Sequence, residues 1–213
     1  IASLDVCQAI AQFADIINAV RPIVTDGELS LRGARHPLMI PGVMGKRNRL
    51  GPEATVGEKE RFSIDERCVP PVPLDLEIDS STRALVITGP NTGGKTIVLK
   101  TIGLLTLMAQ CGVPVPAAVA RLSWRPRIYA DIGDEQSVIA NLSTFSGHLT
   151  RIKQFLDDLL PGSLVLLDEL GTGTDPAEGA ALGIAVLEHL ANLGAMTIVS
   201  THHDALKAFA HSS

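Results

Sequence analysis

Residues 84–96 read Ala84-Leu85-Val86-Ile87-Thr88-Gly89-Pro90-Asn91-Thr92-Gly93-Gly94-Lys95-Thr96. The first five form a short apolar strand, and the last eight fit G-x-x-x-x-G-K-[ST]. A helical run over 96–111 follows, stopped by Gly112 and Pro114. Strand, glycine-rich turn and helix in this order predict a phosphate cradle. Glycines let successive backbone N–H groups turn inward around phosphate oxygens, and the helix N-terminus adds partial positive charge behind them. Lys95 can reach the β- and γ-phosphates as a point charge, and the Thr96 hydroxyl can ligate Mg²⁺. The candidate nucleotide-binding residues are therefore Gly89, Pro90, Asn91, Thr92, Gly93, Gly94, Lys95 and Thr96. The alternative is a chance glycine-rich turn, which leaves the flanking strand and helix without a reason.

A second stretch supports the first. Ser163-Leu164-Val165-Leu166-Leu167-Asp168-Glu169 is an apolar strand ending in two carboxylates. Alone this is weak, because strand ends are often solvated and acidic. Beside a phosphate cradle, Asp168 is the candidate Mg²⁺ holder and Glu169 the candidate group that orients or deprotonates the attacking water. Thr201-His202-His203 follows the last buried strand, read over 195–200. His202 there can contact the γ-phosphate or the water, whereas His203 reads more simply as solvated.

Three weaker segments lie between these. Ser143-Thr144-Phe145-Ser146 opens a helix read over 146–160, where Ser143 and Thr144 would suit a γ-phosphate or serve only as an N-cap. Gly171-Thr172-Gly173-Thr174-Asp175 is either a turn with a helix cap or a segment crossing a subunit boundary near the nucleotide. Asp131-Ile132-Gly133-Asp134-Glu135-Gln136-Ser137 could sense Mg²⁺ or water, or form a solvated loop.

Short strands alternating with long helices imply an α/β fold with a mainly parallel sheet covered on both faces. A strand is read over 128–131 and a helix over 177–193. That helix opens with Asp175-Pro176-Ala177-Glu178, an N-cap, a first-turn proline and a capping-box Glu, and ends at Gly194. Upstream, Leu4, Cys7, Ile10, Ala11, Ala14, Ile17 and Val20 recur at helical spacing over 4–20, which reads as the end of a preceding helical region covering 1–25. Strands at 28–32 and 72–78 make a smaller N-terminal β region, and 41–71 reads as a long polar surface loop.

Composition sets limits. The chain has 213 residues, 46% hydrophobic and only 3% aromatic, so its core is aliphatic. Its net charge is -5, which argues against a broad phosphate-backbone-binding face. Cys7, Cys68 and Cys111 match no metal or redox spacing and read as buried free thiols of a reducing, cytoplasmic setting. No apolar run approaches the roughly 18 residues that span a membrane. The first residue is not Met, which suggests a piece of a longer protein.

The order of these motifs resembles the ATPase domain of the MutS family, an ABC-type branch of the P-loop NTPases. Gly89–Thr96 with its Gly-Pro-Asn start, Ser143-Thr144-Phe145, Leu167-Asp168-Glu169 followed by Gly-Thr-Gly-Thr, and Thr201-His202 carry the resemblance. Arg35-His36-Pro37 resembles the segment preceding that family's sheet, and His36 joins the nucleotide-binding set on this ground. The 131–137, 142–149 and 172–176 segments resemble the type-two bacterial branch. The resemblance implies ATP and Mg²⁺ as ligands, with Glu169, His202 and Lys95 catalytic and Thr96 and Asp168 on the metal. It further implies a homodimer with composite sites, in which Ser143 and Thr144 cover the partner's nucleotide. Branched DNA or stalled ribosomes would be engaged through regions outside this chain. Two rivals stay open: a mismatch-repair relative with the same chemistry, and a nucleotide-gated binding module that scarcely hydrolyses ATP.

Overall fold

The computed structural model describes residues 2–40, 43, 72–90, 93–133 and 144–212. It divides into two compact units, residues 1–78 with 104–123, and residues 79–103 with 124–213. Apart from Val43, the expected loop at 41–71 lies outside the described residues, as does Cys68.

The first unit holds helix α1 (Ala2–Ile17) and strands β1 (Ile23–Thr25), β2 (Leu29–Ala34), β3 (Leu74–Ile78) and β5 (Val119–Ser123). Their sheet order is β1-β5-β2-β3, with β2 antiparallel to both neighbours and β1 parallel to β5. Leu29, Leu31, Ala34, Ile78, Ala120 and Leu122 are buried. Strand β3 alternates between half-buried and exposed positions, as its period-2 pattern predicts. Two expectations fail here. Helix α1 ends at Ile17 rather than Val20, because Asn18 turns to φ 49° and Val20 pairs with Val115 instead. Of the apolar stripe on α1, only Ile17 is buried. Cys7 is exposed, as are Leu4 and Ala11 of that stripe, and Cys111 is exposed just past the helix Lys95–Gln110, so neither is a buried thiol.

The second unit carries β4 (Ala84–Thr88), helix α2 (Lys95–Gln110, of which 95–103 belong here), β6 (Ile128–Asp131), α3 (Thr144–Leu156), β7 (Leu164–Leu167), α4 (Pro176–Asn192), β8 (Met196–Thr201) and α5 (Asp204–Ser212). Its sheet is wholly parallel, in the order β4-β8-β7-β6. Every residue of β7 and β8 is buried, as a parallel sheet covered on both faces requires. Ile152 and Phe155 of α3 and Val186, Leu187 and Leu190 of α4 pack with Val165, Leu167 and Val199 in one core cluster. Helix α3 stops at Leu156, short of the expected 160, because the chain turns towards Pro161 and the next strand.

Local chemistry sets the element ends. Asp175 Oδ1 caps α4, accepting from the N–H groups of Ala177 at 2.9 Å and Glu178 at 3.3 Å. The Glu178 carboxylate accepts the Thr174 hydroxyl at 3.2 Å, so this bond takes the place of the expected reciprocal capping bond. At the far end Gly194 N–H donates to Ala191 O and Ala195 N–H to Leu190 O, with Gly194 at φ 75°, a complete Schellman cap.

Ahead of β4, Asp79 Oδ1 accepts from both the N–H and the hydroxyl of Ser81 and of Thr82. These donors, led by the Ser81 hydroxyl, pull the Asp79 carboxyl from 3.8 to about 2. A pKa lowered in the folded state stabilises it above the unfolded value and loses that contribution as pH falls through about 2. A carboxyl NMR titration should place the Asp79 midpoint near that value, whereas a midpoint near 3.8 would show the turn open in solution.

Candidate active site

Strand register brings the motifs together. Thr88 pairs with Thr201, Leu167 with Val199, and Asp131 with Leu167. The carboxyl ends of β4, β6, β7 and β8 therefore share one edge of the sheet, where open α/β sheets bind ligands. From this edge leave the glycine-rich turn after β4, Asp168-Glu169 after β7 and His202 after β8.

Lys95 opens α2 and is 5% exposed. Its ammonium folds back over the turn, donating to the Gly89 carbonyl at 2.5 Å and standing 3.1 Å from His202 Nε2. An ammonium has no acceptor, so His202 Nε2 is the acceptor of this contact. Glu169 Oε1 stands 3.8 Å from the same nitrogen. Lys95, His202 and Glu169 thus form a short row along the edge. Pro90 O accepts the Gly93 N–H at 3.0 Å. Asn91, Thr92 and Ser143 lie outside the described residues, and Thr144 is placed only as the first residue of α3.

The Thr96 hydroxyl donates to Asp168 Oδ2 at 2.6 Å, and Asp168 is 6% exposed. A hydroxyl beside one buried carboxylate is a hard-oxygen pair, the kind of protein donor set that Mg²⁺ uses together with phosphate and water. These residues therefore fit Mg²⁺. Among the described residues, no group of three or more His, Cys, Asp or Glu side chains is placed to hold a metal.

Sequence reading did not single out Ser200. It is fully buried, its hydroxyl donates to Asp168 Oδ1, and its oxygen accepts the Glu169 N–H at 2.9 Å. The one available signal is a hydroxyl near the carboxyl end of the strand, and it is a weak one because Thr197 and Thr201 lie on the same strand. Glu169 needs such a hold, since it is a non-glycine residue at φ 55°, a conformation costing about 1–3 kcal/mol that persists only where surroundings enforce it. Its carbonyl also accepts the Thr172 N–H at 3.1 Å and hydroxyl at 2.8 Å.

His203 also departs from its reading as a solvated side chain. Its Nε2–H donates to the Gly171 carbonyl at 2.9 Å, tying the segment after β8 to the loop after Glu169. The same carbonyl lies against Gly179 of α4. A Cβ on Gly179 would drive into the Gly171 oxygen, and a Cβ on Gly171 would meet Gly179 O at 2.6 Å. Gly179→Ala is therefore expected to displace the 171–175 loop and destabilise the chain by about 1–3 kcal/mol. Thermal unfolding checks this, and an unchanged melting temperature would mean that the loop does not rest on α4.

Asp131 was a candidate Mg²⁺ or water sensor. Its carboxylate instead faces α3, where Oδ2 accepts His148 Nδ1–H at 2.5 Å and Oδ1 lies 2.6 Å from Arg151 Nε. Asp134, Glu135 and Gln136 lie outside the described residues. His36 belongs to the first unit, immediately before the 3-10 turn Pro37–Met39, and its carbonyl accepts Met39 N–H at 2.9 Å.

A wholly parallel sheet flanked by helices, with a buried lysine and a Thr–Asp pair at its carboxyl edge, is an α/β domain compatible with a P-loop-like fold. A family model described as MutS domain V matches residues 85–213. The "Endonuclease MutS2" of Halothermothrix orenii is 46% identical over 211 residues, covering 98% of this chain and 23% of the relative. The protein of the same name from Shouchella clausii is 46% identical over 214 residues, covering 100% of this chain and 24% of the relative. The chain belongs to the MutS family, on the MutS2-like side. It spans about a quarter of these relatives' length, at 23% and 24%.

Proposed function

We propose that this chain binds Mg-ATP and hydrolyses it to ADP and phosphate, as an ABC-type ATPase domain of a MutS2-like protein. The observation that carries the reading is the row Lys95–His202–Glu169 beside the Thr96–Asp168 pair at one sheet edge. The turn at Gly89–Gly94 cradles the phosphates, and Lys95 turns from the Gly89 carbonyl to the phosphate oxygens. Thr96 and Asp168 would hold Mg²⁺, which would neutralise charge on the phosphates. Asp168 is oriented by the Ser200 hydroxyl. Glu169 positions and deprotonates the attacking water, and His202 contacts that water or the γ-phosphate. Fixed donors and positioning supply most of the rate enhancement in such phosphoryl transfer. Asn91, Thr92 and His36 complete the nucleotide-binding set on the family resemblance.

Ser143 and Thr144 face the nucleotide of a second copy, so two chains complete two sites in a two-fold dimer. Closure on ATP drives a clamp motion of the longer, cytoplasmic protein on DNA, the first of two targets that the family resemblance implies. The stalled ribosome is the second target that the resemblance implies. Sizing of Glu169→Gln with and without ATP tests the composite site. A shift from one copy to two on adding ATP is expected, and one copy at saturating ATP would overturn it.

A further inference from the structure

We propose that Asp131, His148 and Arg151 form a lock that holds α3 in register with the Asp168–Glu169 segment, and that turnover depends on it. The inference rests on the ATPase reading above. Asp131 ends strand β6 and is 8% exposed. Both its carboxylate oxygens are engaged by one helix, through His148 Nδ1–H at 2.5 Å and the Arg151 guanidinium at 2.6 Å. His148 and Arg151 are three residues apart, so they lie on one face of α3. The Asp131 carbonyl in turn accepts the Asp168 N–H at 2.9 Å. One residue thus bonds the backbone at the candidate metal ligand and the side chains of the helix that begins at Thr144.

The surroundings make this a stiff joint. Farther along α3, Phe155 stacks on Tyr129 of β6 with ring centroids 4.8 Å apart, and the Tyr129 hydroxyl donates to Asp158 at 2.6 Å. That aromatic contact fixes the carboxyl end of the helix, and the contacts of His148 and Arg151 with Asp131 hold its middle turns. A carboxylate removed from water, with a hydrogen bond on Oδ2 and a guanidinium in ion-pair contact at Oδ1, is a strong tie. Its bonds described above run to α3 and to the Asp168 backbone, so its removal is expected to leave ATP binding to Lys95 and Thr96 intact. Asp131, His148 and Arg151 are accordingly positioning residues.

The test uses the full chain and measures steady-state phosphate release together with Mg-ATP affinity, normalised to the nucleotide-binding fraction. His148→Leu removes one donor from a partly exposed position, so folding is preserved, and His148→Asn places an amide N–H near the lost Nδ1. His148→Leu and Asp131→Asn are each expected to lower kcat roughly tenfold, less than the hundredfold that a full 1 Å misplacement can cause. KM and ATP affinity stay unchanged, His148→Asn recovers part of the loss, and the double variant is no slower than Asp131→Asn alone. An unchanged kcat in both single variants, a loss that multiplies in the double variant, or a loss that follows weakened ATP binding would overturn the lock. Failure of the parent reading looks different: the wild-type chain would then release no more phosphate than Glu169→Gln, and the lock would fall with it.

Discussion

Glu169→Gln is expected to reduce ATP turnover by about 10²–10⁴-fold, the range that a positioned general base supplies, while leaving ATP bound. The exchange keeps size and shape and removes the negative charge. The position itself should survive, because the backbone is what holds it: the Glu169 N–H donates to Ser200 Oγ, and its carbonyl accepts both Thr172 donors. Affinity for Mg-ATP, followed with a fluorescent analogue, should therefore match the wild type. A Glu169→Gln chain that hydrolyses at the wild-type rate would remove Glu169 from the chemistry and shift attention to His202, 3.8 Å away.

Lys95→Ala acts one step earlier. Charge-assisted hydrogen bonds contribute about 1.5–3 kcal/mol each, so losing the ammonium should weaken Mg-ATP binding by roughly 10- to 100-fold. Alanine at a helix start is well tolerated by the backbone, and the contacts described for the ammonium, with Gly89 and His202, belong to the site. Isothermal titration with Mg-ATP measures the effect. Binding as tight as in the wild type would mean that the phosphates lie elsewhere.

Much of the second unit was legible because its signals are local. The apolar run at 84–88, the Asp175 cap and the Gly194 stop are written in adjacent residues, and each element lies within two residues of its expected place at those points. The site was legible for a related reason: its candidates sit where a strand ends, and parallel register brings strand ends together. Interactions across the sheet were not legible. Ser200 lies 31 residues from Glu169 and 32 from Asp168, and nothing in its own segment marks it as their partner. His203 looked solvated because its acceptor, the Gly171 carbonyl, is a backbone atom with no sequence signature.

The first unit was harder for the same reason. Its sheet takes β5 from beyond α2, so Val119–Ser123 and Ile23–Thr25 become strands by pairing with each other rather than by their own pattern. The α1 stripe has good helical spacing, yet spacing alone cannot say whether anything covers it, and only Ile17 is buried.

The most direct measurement is phosphate release from Mg-ATP per subunit, across a range of protein concentrations, with Glu169→Gln as the blank. The proposed function predicts a rate above the blank that climbs with concentration, as two chains come together to complete each site. Release equal to the blank at every concentration would contradict it.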